Sequence, residues 1–330
     1  MTDRNSALKT VLAVAALAVA GAMGSTAMAQ DAFPSKPVTL IVPWAAGGGS
    51  DIRMRLLAEA ASQRLGQPIV VVNRPGAGGA EGTREIASAV PDGYTIGMEG
   101  TGLIARTYTN PNANAYTDLL PIVFFGADPG AVVTNPSTGF NTAADFVEAA
   151  KAAPESVVNG NDQPGGTSYI NAAVIENTLG IQLTKVPYEG FAPTVTALLS
   201  GEVMTATVPV PDAIEHHKAG TLRILGVTDT KRHFMAPDVP TFQEQGFDVV
   251  VGAWRVVIGP NGIPQDRLAI LEAALLETLS DPAFIERANA AGFEISPKGS
   301  QDTIAFMKQY DDLLYPILKD AGLITTRERN

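Results

Sequence analysis

The 330-residue chain contains no cysteine and only three histidines. A disulfide framework, thiolate metal sites, iron–sulfur clusters and a cysteine nucleophile are therefore excluded. His216 and His217 are consecutive near a helix end, and His233 lies in the polar turn Thr230–Phe234. All three read as solvated surface, so neither a metal site nor a histidine-based catalytic centre is expected. Cations are scarce: 23 Lys plus Arg stand against 34 Asp plus Glu, a net charge of −11. Nucleic acid is not an expected partner, because phosphate binding draws on clustered Lys and Arg. No Walker A loop and no G-x-S-x-G elbow occur. Long apolar runs are missing too; Thr10–Ala22 falls short of the roughly 20 residues that cross a bilayer.

That short run has a meaning of its own. Arg4 and Lys9 precede it and Ala27-Met28-Ala29 follows, the order of a secretory signal with cleavage expected after Ala29. Residues 1–29 then form a signal peptide, and the mature chain is expected in the periplasm, one unit more acidic for losing two cations and one anion.

From residue 30 onward, short apolar strands alternate with helix-period segments, which predicts an α/β fold with mainly parallel sheets and helices on both faces. Val38–Val42 reads as a strand, Ile52–Leu65 as a helix stopped by Gly66 and Pro68, Ile69–Val72 as a strand and Ala80–Ala89 as a helix. Tyr94–Met98 completes a βαβαβ unit. A second cycle starts near Pro121, with strands at Ile122–Phe125 and Ala131–Val133 and a helix at Thr142–Lys151, where Thr142 and Asp145 have capping-box spacing. The tail past residue 260 is helical and is expected to pack back on the first unit. That gives a discontinuous domain of residues 30–124 plus 248–330 and an inserted domain of residues 125–247, with a ligand cleft between the two lobes.

Candidate binding residues sit in glycine loops between strands and helices. Trp44, Ala46, Gly47, Gly48, Gly49, Ser50 and Asp51 follow the first strand, where a helix start presents free N–H groups and the positive end of its dipole to an anion. Gly100 and Thr101 follow the third strand. Asn161, Gly165, Gly166, Thr167 and Ser168 form a matching loop in the inserted domain, and Glu189, Gly190 and Phe191 lead into a further helix and offer a wall. Two helix starts facing each other would clamp a small anion. The loop Gly76–Gly82 spells G-x-G-x-x-x-G, one residue longer than the dinucleotide fingerprint, so no nucleotide or other cofactor is expected. The residues alone leave three activities open: a solute receptor, an exported hydrolase or isomerase of a small acid, and a sensor without a transport role.

Several of these stretches resemble one family. Pro34–Asp51 (Pro-Ser-Lys-Pro-Val-Thr-Leu-Ile-Val-Pro-Trp-Ala-Ala-Gly-Gly-Gly-Ser-Asp), Asn73–Gly79, Pro91–Thr95, Val186–Gly190, Leu222–Thr228 and Pro240–Gly246 are similar, in this order, to the Bug family. Those proteins are the extracytoplasmic solute receptors of tripartite tricarboxylate transporters. The resemblance implies a two-lobed periplasmic binding-protein fold, monomeric and without enzymatic activity. It would close on a carboxylate-bearing solute and deliver it to membrane permease subunits. It also implies that backbone amides and ordered water at Ala46–Asp51 and Asn161–Ser168, rather than Lys or Arg, hold the acid. Glu189 stands where the family often has a basic residue and Met204 where an acidic one is common, so both bear on which solute is taken.

Overall fold

In the computed structural model, the structure describes residues 32–44, 46–164, 166–188 and 190–329. The expected signal peptide, and Gly165 and Glu189, lie outside the described residues. Every element named below belongs to the compact unit that begins at Lys36.

The β-branched run Val38–Val42 forms β1, followed by α1 (Gly49–Leu65), β2 (Ile69–Asn73), α2 (Ala80–Ala87) and β3 (Thr95–Gly100). Both β2 and β3 pair with β1 in parallel, which is the expected βαβαβ unit. Then come α3 (Gly102–Thr109), β4 (Leu119–Thr134), α4 (Ala143–Ala152), β5 (Val158–Asp162) and α5 (Thr167–Leu179). The Thr142 hydroxyl accepts from the Asp145 amide, and the Asp145 carboxylate accepts from the Thr142 amide, so the capping box forms. The chain continues through β6 (Thr184–Tyr188), α6 (Phe191–Ser200), β7 (Thr205–Pro209), α7 (Val210–Lys218), β8 (Arg223–Val227) and β9 (Gly252–Pro260). Three helices follow: α8 (Gln265–Leu279), α9 (Pro282–Ala290) and α10 (Ser300–Asp320).

The strands run β2-β1-β3-β9-β4-β7-β5-β6, with β8 added on β4. Parallel pairing is confined to the outer groups, β2-β1-β3 and β7-β5-β6. Every pairing of β4 and β9 is antiparallel, so the sheet is mixed rather than mainly parallel. The two strands expected at 122–125 and 131–133 are one 16-residue strand. Up to Pro129 it pairs with β9, and from Gly130 with β7 and β8, so the exchange of partners falls at Pro129/Gly130. The sequence placed the change of lobe at 124/125.

Trp254, Phe306 and Phe124 meet edge to face, with ring centroids 5.6 and 4.8 Å apart, and Tyr310 adds a fourth ring 5.4 Å from Trp254. These contacts pin α10 onto β4 and β9 at an offset favoured by ring quadrupoles. The tail helices α8 and α9 pack on α1. A second apolar cluster, with Val208, Ile214 and Ile224, fills the space under α6 and α7. His233 departs from expectation: it is 1% exposed, stacks on Phe234 at 4.5 Å, and accepts from the Met235 amide at 3.2 Å. Burial lowers its pKa below the usual imidazole value, so it is a neutral core residue and not solvated surface. Among the described residues no helix is long and apolar enough to cross a membrane.

Candidate functional site

The carboxyl ends of β1, β3, β5 and β6 open onto one cavity of about 770 Å³, within the range of small-molecule sites. Trp44, Ser50, Gly100, Thr101, Gly166, Thr167, Gly190 and Phe191 line it. The lining therefore draws on the loops after β1, β3, β5 and β6 together. Ala46, Gly47, Gly48, Gly49, Asp51, Asn161 and Ser168 are not on it. Met204 immediately precedes β7, and its amide bonds Val158 at the amino end of β5, far from the cavity at the carboxyl end.

The first loop leaves its helix start open. Gly48 is the N-cap of α1, and the N–H groups of Gly49, Ser50 and Asp51 have no partner among the described residues. Asp51 is turned back from the cavity. Its carboxylate accepts from the Gly47 amide at 2.9 Å, Arg55 Nε at 3.0 Å and Asn73 Nδ2 at 3.0 Å. Asn73 also donates to the Trp44 carbonyl at 3.0 Å, so one buried acid organises the turn. The hydrogen bond from Arg55, reinforced by Gly47 and Asn73, holds the Asp51 carboxyl down to about 2.

The second loop is built alike but closed. Ser168 and Tyr169 amides, at the start of α5, donate to the Asp162 carboxylate at 3.1 and 2.8 Å. Ser168 Oγ accepts from the Asp162 amide at 2.7 Å. A Cβ on Gly166 would lie 2.5 Å from the Asp162 carboxyl carbon, so the glycine is there to admit this side chain. Burial raises the Asp162 pKa, against the opposing pull of those amides. Two open helix starts facing one another are thus not what the chain builds: α5 is capped by its own acid. Asn161 is committed as well, donating to the Ser168 carbonyl at 3.3 Å.

Sequence reasoning missed the charged lining. Arg106, Asp162 and Arg255 all reach the cavity wall, so two cations and an acid stand among the expected glycine loops. Arg106 donates to both oxygens of the wholly buried Glu99 at 2.8 Å. Thr83 and the Gly100 amide also bond that carboxylate. Thr101 Oγ1 accepts from the Trp254 amide at 3.0 Å and so ties the end of β3 to β9. Strand β9 itself escaped notice, hidden by its terminal glycine and proline and by the arginine within it. Its register sets Arg255 opposite Gly100, a long-range pairing that no sequence pattern signals. Among the described residues no group of His, Asp and Glu converges as a metal site.

A mixed sheet carrying a ligand-sized cavity at the strand ends, with walls drawn from both strand groups, is the architecture of two-lobed solute-binding proteins. Residues 53–323 match the sequence model of the tripartite tricarboxylate transporter family receptor. The chain is 31% identical to protein BugT of Bordetella pertussis over 287 residues, 86% of this chain and 88% of that protein. It is also similar to a TctC solute-binding protein from Polaromonas (TM-score 0.77, 28% identity, covering 87% of this chain and 99% of that one). A third likeness is to Rpa4515 of R. palustris, solved with adipate (TM-score 0.74, 26% identity, covering 88% and 98%). The chain belongs to the tripartite tricarboxylate transporter receptor family, the family of the Bug-named proteins. Its relatives are periplasmic solute-binding receptors and not enzymes.

Proposed function

We propose that the mature chain, cleaved after Ala29, captures a small carboxylate-bearing solute in the periplasm and delivers it to the permease subunits of a tripartite transporter. It works as a monomer, with residues 30–124 plus 248–330 as one lobe and 125–247 as the other. The observation that carries this reading is the cavity itself, with Ser50 on its wall at a helix start whose Gly49, Ser50 and Asp51 amides have no partner among the described residues. Trp44, Gly100, Thr101, Gly166, Thr167, Gly190 and Phe191 supply further lining, and the Gly47 amide ties Ala46–Gly48 back to Asp51. Three unpaired N–H groups at a helix start bind a carboxylate without any side-chain charge. The adipate in Rpa4515, a relative of this fold, supports a dicarboxylate-sized guest. Closure of the lobes on the solute then shifts the population toward the form the permease meets.

Titration calorimetry on the mature chain with adipate, succinate, benzoate, glutamate and nicotinate tests this. One-to-one binding of at least one acid is expected, with a gain in stability of about 2.7 kcal/mol at a hundred times its Kd. Binding of none, alongside binding of an uncharged solute, overturns it.

A further inference from the structure

Arg255 differs from Arg106, the other arginine on the cavity wall, and from the buried Arg53. Arg53 is ion-paired with Asp128, and Arg106 with Glu99. Arg255 has no carboxylate within ion-pair distance among the described residues. Among the described residues its one hydrogen bond runs from Nη1 to the Trp254 carbonyl, at 2.9 Å. The Nε atoms of Arg53 and Arg106 are sealed from solvent without a partner, whereas no nitrogen of Arg255 is sealed in that way. The side chain is half-buried in the cavity wall, so its unused donors meet the cavity. Three acids act on it at longer range, Asp128, Asp212 and Glu99. Arg53 neutralises the first and Arg106 the third. Asp212, in the first turn of α7, is exposed and has no ion-pair partner among the described residues.

The fold makes room for this cation. Gly100 is the cross-strand partner of Arg255 on β3. A Cβ at Gly100 would lie 2.7 Å from the Trp254 carbonyl oxygen, 3.3 Å from Arg255 Cδ and 3.5 Å from Nη1. Any larger residue would push the guanidinium off its course. Burial and the nearby Arg53 lower its pKa to about 10, which leaves it charged at neutral pH. A half-buried guanidinium without a counter-ion is unfavourable unless an anion completes the site.

We infer that Arg255 is a specificity-determining residue whose guanidinium takes a carboxylate of the solute directly, so that the receptor selects acids by charge as well as through backbone amides. The inference rests on the receptor reading above and adds to it a named side-chain contact.

The test is calorimetry with adipate, or with succinate should adipate not bind, on wild type and on Arg255→Ala, Arg255→Lys and Asp212→Asn. Thermal midpoints of the ligand-free proteins are taken alongside. R255A is expected to weaken binding at least thirtyfold, R255K by less, and 20 mM ethylguanidinium to restore R255A at least fivefold without helping wild type. D212N is expected to stay within threefold of wild type or to bind more tightly. If R255A binds as wild type does, or R255K is as weak as R255A and ethylguanidinium restores nothing, the inference is wrong. A loss in D212N matching that in R255A also overturns it, because the partner of Arg255 is then Asp212 and not the solute. Wild type that binds no acid at all defeats the receptor reading first and this inference with it, whereas intact wild-type binding beside an indifferent R255A defeats the inference alone.

Discussion

The loops after β1 and β5 are the same device put to opposite uses. Each joins a strand to a helix through glycine and carries an aspartate that bonds backbone amides of its own loop. In the first, Asp51 folds back onto Gly47, Arg55 and Asn73, and the α1 amides stay open. In the second, Asp162 lies across the start of α5 and occupies its amides. One helix start is therefore free to take an external anion, while the other is satisfied internally and acts as rigid wall. The lesson is that a glycine loop before a helix marks unsatisfied amides, but the position of the nearest acid decides whether a ligand or the protein itself satisfies them.

The largest expected effect comes from blocking the open start. Gly48 has an ordinary extended backbone, φ −78° and ψ 167°, and is exposed, so Gly48→Phe should fold. Its ring would cover the α1 amides and weaken acid binding by a hundredfold or more, about 2.7 kcal/mol, read by calorimetry. Unchanged affinity would show that the two loops do not differ in the way described.

In the closed loop, stability rather than the open amides should respond. Asp162→Ala removes the acid that caps α5 and should cost about 1–2 kcal/mol in denaturant unfolding. Gly166→Ala should cost a similar amount, because its methyl group would displace the same carboxylate. The double variant should be no worse than the poorer single one, since both act on one contact. Additive losses would mean that Gly166 serves something other than Asp162.

The smallest effect is a pH dependence in the open loop. The folded-state pKa of Asp51, about 2, lies below its ordinary 3.8, so its contribution is complete above about pH 4 and fades as pH falls toward 2. Asp51→Asn should be less stable than wild type by about 1 kcal/mol near neutrality. That gap should narrow as acid protonates the wild-type residue. A gap that does not change between pH 5 and pH 2.5 would remove the carboxylate from the account of the turn.

Elements with a clean period were legible. The β-branched run Val38–Val42 is a strand with the expected bounds, and α4 begins at its capping box. Helix α3, Gly-Leu-Ile-Ala-Arg-Thr-Tyr-Thr, was not read, because its β-branched and aromatic residues suit a strand as well. Strand β4 was divided in two because Gly126, Pro129 and Gly130 interrupt the apolar run, although its antiparallel partners carry it through. His233 was misread since a polar neighbourhood in sequence says nothing of what packs on top. At the cavity, glycine placement marks the loops in the sequence, whereas nothing local marks Arg106 or Arg255.

The sequence by itself determined where strands hand over to helices and which loops carry bare amides, because hydrophobic period and glycine placement are local properties of the chain. Only the tertiary structure decided which amides stay free and which cations reach the cavity. Asp162 closes its own loop over six residues, but Arg255 meets Gly100 from a strand about 150 positions away. Pairings at that range are set by packing and register, and no local pattern in the chain encodes them.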